Sequence, residues 1–300
     1  MEPLNPDKER AGYALVTAAR NEQEYIGRCI ESVLGQNIRP VAWVIASDGS
    51  ADRTDAIVID YARYNHFIKL IRKEHDQHQQ GFASKVFALN MAARCLNVND
   101  YQFIGNLDAD ITFQSDYYQK VLNKFGNNPR LGIAGGYIFE RDGGAFKSRP
   151  SNSPWSVAGG IQLFRRECYQ AVGGLKPMPL GGEDWHAEIM ARMNGWEVTA
   201  FPDIPAFHHK PSAGKRGLIK EAIREGAMDY SMGTHPLFEL VKCVRRIKQK
   251  PYGIFAAYRM FGFLLQYVMR QRRPVTTEVI SYLRCEQLSK LKNIPSVFFK

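Results

Sequence analysis

Cysteine is scarce, with five residues in 300. Cys29, Cys95, Cys168, Cys243 and Cys285 are scattered, odd in number and without a CxxC spacing. That argues against a disulfide frame or a cysteine zinc site and for reduced thiols in a cytoplasmic protein. Neither GxGxxG nor a GxxxxGKS or GxxxxGKT motif follows the first apolar run, which speaks against a typical dinucleotide-binding fold and a P-loop NTPase. Long apolar runs are lacking too. Residues 252–269 are mostly apolar but interrupted by Arg259 and Gln266 and weakened by Gly253 and Gly262. A membrane-spanning helix needs about 20 apolar residues, and a central arginine costs about 2.5–3.5 kcal/mol on insertion scales. Residues 1–20 include Glu2, Asp7 and Glu9 and no apolar h-region, so no secretory signal is expected. There is no low-complexity segment and no internal repeat.

What is present is size and an uneven charge. A chain of 300 residues suits one large domain, or a domain of about 200 residues with an appendage, and either can bury a full core. The net charge of +10 is concentrated at one end: residues 208–300 hold 18 Lys+Arg against 6 Asp+Glu, and residues 1–207 hold 22 against 24. Such a basic block suits nucleic acid, an anionic membrane surface or a solvated face, and charge alone does not choose among them.

Apolar runs at 13–19, 42–46, 68–71, 101–107 and 131–137 read as strands, and amphipathic stretches at 24–34, 54–64, 84–96 and 116–125 as helices. In the first helix Ile26, Ile30, Val33 and Leu34 share a face. This βαβ rhythm predicts an α/β fold, a mainly parallel sheet flanked by helices. From Glu140 to Pro154 the pattern breaks into Arg, Gly, Ser and Pro, which reads as a long loop. Strand-like pieces at 161–164 and 198–201 flank Gly181-Gly182-Glu183-Asp184-Trp185. After Pro211 four helical segments follow, near 214–231, 235–249, 252–270 and 276–291. A boundary near 210 is expected, with domains at 1–210 and 211–300.

The residues that can carry chemistry sit at the ends of these runs. Asn106-Leu107-Asp108-Ala109-Asp110 closes the fourth strand-like run, and period two along an extended segment sends Asp108 and Asp110 to one side. Paired carboxylates there are hard oxygen ligands for Mg²⁺ or Mn²⁺ with a diphosphate; the alternative is an acidic turn in which Asp110 caps the next helix. Asp48, followed by Gly49 and Ser50, can accept from a nucleobase imide or ribose hydroxyl, or stand in a plain turn, with Asp52 or Thr54 capping the helix that follows. Lys85 can reach a base or phosphate, or be a solvated helix lysine. Glu183-Asp184 opens a helix after two glycines, either as an exposed, dipole-favoured base or as an ordinary acidic helix start. His208-His209 reads as a metal or diphosphate ligand or as a surface pair. Trp155 and Trp185 suit stacking on sugar faces or a place in the core, and Lys147 and Arg149 suit a diphosphate clamp.

The order of these pieces resembles the family 2 glycosyltransferases of the GT-A fold. The matching stretches are Ala18 to Ile26, Ser47 to Thr54, Gly81 to Asn90, Asn106 to Asp110, Gly159 to Arg166 with Gly173-Gly174-Leu175, and Gly182-Glu183-Asp184, together about residues 12–210. The resemblance implies that Glu22 and Asp48, with Ala18, Arg20 and Lys85, hold the nucleotide part of a sugar donor. It further implies that Asp108 and Asp110, with His208, hold the metal and diphosphate, and that Glu183-Asp184 supplies the base, Asp184 foremost. Inversion at the anomeric carbon with a nucleoside diphosphate leaving is implied too. The expected partners are a nucleotide-sugar donor, UDP before GDP or dTDP, and a saccharide or lipid-linked acceptor in envelope or exopolysaccharide synthesis, with no nucleic acid. Two departures stand out: the first strand ends in Ala-Ala-Arg where many relatives have proline, and tryptophan follows Asp184. Neither removes a charge the mechanism needs. Two rival readings are a sugar-phosphate nucleotidyltransferase, disfavoured by the missing Gly-rich basic phosphate loop, and a non-enzymatic adaptor working through the basic tail.

In that tail Leu237, Leu240, Val241, Val244 and Ile247 form a helical stripe with Lys242, Arg245, Arg246, Lys248 and Lys250 around it. A helix lying in the membrane interface is expected ahead of a packed helix pair and of a true span. The protein is therefore expected on the inner face of the cell membrane, as a peripheral protein.

Overall fold

A computed structural model of the chain describes residues 11–73, 82–142, 144–210, 217–247 and 252–292. The chain divides into two compact units, Met1–Pro177 with Glu183–Pro211, and Met178–Gly182 with Ser212–Lys300.

The first unit opens with strands and helices in strict alternation: β1 (Ala11–Ala19), α1 (Ile26–Leu34), β2 (Ala42–Asp48), α2 (Thr54–Ala62), β3 (Ile68–Lys73), α3 (Phe82–Arg94) and β4 (Tyr101–Asn106). The strands are near-continuous apolar runs because helices cover both faces, and Tyr13, Leu15, Trp43, Ile45 and Ile104 are fully buried. Helix α1 buries Ile26, Ile30 and Val33 of the face read from sequence, with Cys29 in place of the half-buried Leu34. Each large buried side chain contributes about 1.5–3 kcal/mol. The one polar atom of Trp43 is satisfied as well, since its Nε1 donates to Thr17 Oγ1 at 2.9 Å.

The unit continues with β5 (Ile111–Phe113), α4 (Tyr117–Asn127), β6 (Leu131–Asp142), β7 (Ala145–Ser148), β8 (Leu163–Arg165), α5 (Arg166–Val172), α6 (Glu183–Met193) and β9 (Glu197–His208). Among the described residues the sheet runs β3-β2-β1-β4-β8-β6-β9-β5, with β7 paired to β6. Strands β3, β2, β1 and β4 are parallel, as the βαβ rhythm requires. Beyond β4 the sheet is mixed: β8 is antiparallel to β4 and β6, β9 is parallel to β6, and β5 is antiparallel to β9. Among the described residues no α-helix lies between β6, β7 and β8, only a single 3-10 turn at Gly159–Ile161. Without a crossover a chain can return only antiparallel.

The stretch from Glu140 to Pro154, read from sequence as a long loop, is partly a hairpin. Strand β6 runs on through Asp142 and returns as β7, with Phe139 opposite Ser148 and Glu140 opposite Lys147. This hairpin is polar and exposed, so it lacks the apolar alternation that signals a strand, and it gains an anchor where the Phe146 ring meets Phe207 at 5.0 Å. Strand β5 and helix α5, at three and seven residues, were too short to read as periodic.

The second unit is helical: α7 (Leu218–Ser231), α8 (Pro236–Arg245), α9 (Ile254–Val268) and α10 (Thr277–Lys292). Helices α7 and α9 cross at facing glycines. A Cβ on Gly226 would lie 1.9 Å from Arg259 O, and one on Gly262 2.2 Å from Ile223 O. Gly262, which in sequence looks like a weakness, is what lets the two backbones touch.

Arg259 likewise turns out not to face the surface. It is 2% exposed and meets Glu225, Asp229 and Glu239, the last through Nε at 2.9 Å. The opposite side of α9 presents Ile254, Phe261, Leu264 and Val268 to solvent, and α8 with the turn after it presents Leu237, Leu240, Val244 and Ile247. Among the described residues no helix is long and apolar enough to cross a membrane.

Candidate active site

The loops after β1 and β2 are laced together by side chains. Asn21, at a left-handed φ of 54°, a conformation asparagine tolerates better than most residues, accepts from the Ala51 N–H through Oδ1 at 2.8 Å and donates its own N–H to Ser50 Oγ at 3.2 Å. The Gln23 N–H reaches Asp52 at 3.1 Å, and the Glu22 N–H reaches Thr54 Oγ1 at 2.8 Å. Asp52 also accepts from the Thr54 N–H at 2.9 Å; the N-cap of α2 is Arg53, not Asp52 or Thr54 as read from sequence, so Asp52 acts one residue ahead of the cap. This lacing fixes Glu22 beside Ala18 and Arg20 at the carboxyl end of β1. Ala18 is half-buried there and Arg20 is exposed.

Glu22 pairs with Lys210, and its second carboxylate oxygen, Oε2, is buried and accepts no hydrogen bond. Burial raises its proton affinity, and Lys210 offsets only part of this. Asp48, at the end of β2, is buried and already engaged: Lys73 Nζ lies 3.0 Å away, and Ser84 Oγ donates to the other oxygen. Lys85, the next residue on α3, reaches Asp108 at 2.6 Å. Burial works against its charge, but the Asp108 carboxylate more than compensates and holds the ammonium above the ordinary lysine value. Gly81, part of the same motif, lies outside the described residues.

Strand β4 ends at Asn106, earlier than the sequence suggests, and the period-two argument for Asp108 and Asp110 therefore does not apply. Residues 107–110 form a turn in which the Ile111 N–H donates to Asp108 O at 3.3 Å. A short strand, not a helix, follows the turn, so Asp110 caps nothing. The turn itself brings the pair to the site, and both carboxylates act electrostatically on Glu22. The Asp108 N–H donates to Gly160 O at 3.0 Å, and a Cβ on Gly160 would lie 2.5 Å from the Asp108 carboxylate. Only glycine permits that approach.

Asp110 is buried with Oδ2 3.2 Å from His208 Nε2, while Oδ1 accepts no hydrogen bond. Burial raises its pKa, but the hydrogen bond and charge of His208, with Lys85 and Lys210, outweigh this and hold the carboxyl below the usual range. His208 is correspondingly raised, burial being overcome by Asp110, and its Nδ1 lies 3.5 Å from Glu140 Oε1. The histidine doublet thus divides. His209 pairs instead with Thr112 Oγ1 at 2.8 Å, and burial lowers its pKa. Arg149 sits on Glu140 at 2.6 Å, and Lys147 is exposed on β7.

On the far side, Asp184 is fixed by two N–H groups: Gly159 donates to Oδ2 at 3.1 Å and Trp185 to Oδ1 at 2.8 Å. A Cβ on Gly159 would meet the same carboxylate at 3.0 Å, so the adjacent glycines 159 and 160 each admit one acid. Glu183 is raised by burial and by the charge of Asp184, against which Lys85 acts. Trp155 is 69% exposed, whereas Trp185 is half-buried. Trp155 is therefore no core residue.

Two participants were not apparent in the sequence. Glu188, one turn after Asp184 on α6, is 1% exposed; its Oε1 accepts from the Val157 N–H at 2.6 Å and from Ser156 Oγ at 3.1 Å. Burial, then the charge of Asp184, pushes its pKa up to about 8. Its i, i+4 spacing from Asp184 was the available signal. Lys210, directly after the histidines, was the other.

Glu22, Asp108, Asp110, Glu183 and Asp184 thus come from three segments of one unit, with Lys85, Lys210 and His208 among them. Crowded carboxylates are costly unless a cation joins them. The buried, unpartnered Oδ1 of Asp110 beside a histidine nitrogen suits a hard divalent ion. Among the described residues no group of three or more His, Cys, Asp or Glu is placed to hold a metal ion. An ion here would take the rest of its coordination from phosphate and water.

Fold and site together define a GT-A glycosyltransferase architecture. The fold matches the mannosyltransferase PcManGT of Pyrobaculum calidifontis, solved in complex with GDP-Man and Mn²⁺, with a TM-score of 0.57 and 18% identity over 94% of this chain and 81% of that one. It also matches S. aureus TarS 1-349 in complex with UDP-GlcNAc, with a TM-score of 0.53 and 13% identity over 93% of this chain and 80% of that one. Residues 14–185 match the sequence family described as glycosyl transferase family 2, and the chain belongs to that family. It is 29% identical over 125 residues to the poly-beta-1,6-N-acetyl-D-glucosamine synthase of Staphylococcus epidermidis, a match covering 42% of this chain and 28% of that one. The matched segment thus spans under a third of that relative's length.

Proposed function

We propose that the protein transfers a sugar from a nucleoside-diphosphate donor to a hydroxyl of a saccharide or lipid-linked acceptor, with inversion at the anomeric carbon and with Mg²⁺ or Mn²⁺. The observation that carries this reading is the gathering of Glu22, Asp108, Asp110, Glu183 and Asp184 around two buried carboxylate oxygens that accept no hydrogen bond. Glu22 and Asp48, with Ala18 and Arg20 beside them, take the nucleoside; Asp48 releases Lys73 or Ser84 to do so. Lys85 and Asp108 take the ribose and diphosphate. Asp110 and His208 hold the ion, which when bound neutralises charge on the departing diphosphate.

Asp184 accepts the acceptor hydroxyl's proton, and Glu183 helps hold that acceptor. As the oxygen's electron pair forms its bond to the anomeric carbon, the bond from that carbon to the diphosphate breaks and the pair leaves on the diphosphate oxygen. Its two N–H contacts orient Asp184, while Trp155 and Trp185 offer faces for sugar rings.

The solved relatives hold GDP-Man and UDP-GlcNAc, which supports a nucleotide-sugar donor, UDP first and GDP or dTDP next. The synthase relative supports a polysaccharide product. The exposed apolar rows of α8 and α9 in a basic unit support work at a membrane surface, on its cytoplasmic face, with nucleic acid no partner.

The test is a panel of UDP-, GDP- and dTDP-sugars with Mn²⁺. Metal-dependent release of nucleoside diphosphate, lost in Asp110→Ala, is expected. No binding or turnover across the panel refutes the reading. Pyrophosphate release from a nucleoside triphosphate with a sugar phosphate would favour a nucleotidyltransferase instead.

A further inference from the structure

The second unit contains a cavity of about 580 Å³ whose lining includes Leu180, Ala227, Tyr230, Ser231, Arg272 and Arg273. Its described lining has two adjacent arginines and no carboxylate. That asymmetry has a cause within the unit: Glu225, Asp229 and Glu239 are all committed to Arg259. The acids turn inward, and the positive surplus is left at the surface and in this cavity.

The walls are held in place. Arg224 donates to Leu180 O at 2.6 Å, the Tyr230 hydroxyl donates to Gln271 O at 2.9 Å, and Arg273 Nε donates to Tyr230 O at 3.0 Å. The Arg273 guanidinium also lies over the Tyr230 ring at 4.2 Å. Among the described residues Arg272 is exposed and has no ion-pair partner. The lining therefore combines cationic and apolar groups. The Tyr230 ring meets Tyr267 at 4.7 Å, and Val268 and Met269, both exposed, continue from it.

We propose that this cavity binds a phosphate head and the first carbons of its apolar stem, the lipid end of a lipid-linked acceptor. Arg272 supplies the charge-assisted hydrogen bonds, and Leu180, Ala227 and Tyr230 cover the stem. A free sugar acceptor would use neither. A diacyl headgroup surface would meet the exposed rows without entering the cavity. The inference rests on the lipid-linked form of the acceptor given above. In the chain, Leu180 lies just ahead of Glu183 and Asp184.

Binding of the full chain to three vesicle types tests it: phosphatidylcholine alone, phosphatidylcholine doped with farnesyl phosphate, and phosphatidylcholine doped with an equal charge of phosphatidylserine. The farnesyl phosphate vesicles should bind at least about tenfold more tightly than the other two. Arg272→Glu, which inverts the charge, and Gln271→Trp, which obstructs the lining without changing charge, should each abolish that preference. Equal binding to phosphatidylserine vesicles overturns the proposal in favour of a general anionic surface. Displacement by inorganic phosphate at matching concentration overturns it in favour of a free-anion site, and variants that keep the preference overturn it outright. Donor turnover without acceptor should be unchanged in both variants. Its absence from the wild-type protein would refute the transferase reading and leave the vesicle result standing.

Discussion

Each unit holds a cluster of buried carboxylates, and the two clusters are finished differently. In the helical unit Arg259 meets Glu225, Asp229 and Glu239, while Lys242 lies 2.8 Å from Asp229 and Arg246 3.0 Å from Glu225. Among the described residues the buried oxygen of that cluster without a hydrogen bond, Glu239 Oε2, still has Lys242 at 3.9 Å. In the sheet unit Lys85 takes both oxygens of Asp108, Lys210 and His208 take one oxygen each of Glu22 and Asp110, and Glu22 Oε2 and Asp110 Oδ1 are left over. A cluster that closes on itself holds helices together. One that keeps oxygens open retains capacity for a ligand, and burial makes that capacity costly to carry.

The comparison is broken most severely at Arg259. Arg259→Leu removes the cation shared by buried Asp229 and Glu239 and half-buried Glu225, and removing one partner of a buried ionic group costs about 3–5 kcal/mol. The helical unit should lose cooperative unfolding or melt first in calorimetry. In the sheet unit the same kind of change should spare the fold and remove the chemistry. Asp184→Asn should lower turnover by about 10²–10⁴-fold, the usual worth of a positioned base, with the melting temperature unchanged or raised because a repelling charge is gone. Asp110→Ala should do likewise and abolish the dependence on Mn²⁺. A large fall in stability with either would place these acids in the same structural class as the Arg259 set.

How much of this was legible in sequence follows from how local each signal is. The parallel strands and α1 were readable because their apolar periodicity is written in consecutive residues. Asp48, Asp108, Asp110 and Glu183-Asp184 stood out by their order along the chain, although the turn that carries Asp108 and Asp110 was taken for strand. The inward course of Arg259 was not readable, because its partners lie on α7 and α8 and only packing brings them together. Gly262 is similar: whether a helix glycine is a defect or a crossing point depends on what passes beside it. Lys210 and Glu22 are far apart in the chain and meet only in the fold.

Glu188 sharpens the comparison, since it is a buried acid whose hydrogen bonds among the described residues all fall on Oε1, with Arg192 3.9 Å from Oε2. An exposed glutamate ionises near 4.5, and Glu188 near 8. The unfolded chain gives up its proton first, so the folded chain binds more protons in between. Stability from this group is full below about pH 4.5 and is lost as the pH rises toward 8. Glu188→Gln removes that loss and keeps an oxygen for the Val157 N–H. At pH 8 the variant should melt higher than wild type, by on the order of 1–3 kcal/mol of stability, and at pH 4 the difference should vanish. A pH-independent difference would mean that Glu188 is ionised in the folded protein throughout.

The smallest expected effect lies at the edge of the site. Trp155 is 69% exposed, and its described backbone contact is local, its N–H donating to Ser153 Oγ at 3.3 Å. Its indole therefore adds little to folding, and Trp155→Ala should leave the melting temperature in place. If the ring stacks on an acceptor sugar, its loss costs about 0.5–1.5 kcal/mol of binding, or roughly 2–10-fold in acceptor KM, with donor hydrolysis in the absence of acceptor unaffected. Trp155→Phe should recover part of that loss, because a smaller aromatic face remains. An unchanged KM would assign the tryptophan to the surface of the loop and leave the acceptor to Glu183, Asp184 and Trp185. A fall in donor hydrolysis would instead place the ring against the donor sugar, moving the acceptor side of the site away from the Ser153–Ser156 turn.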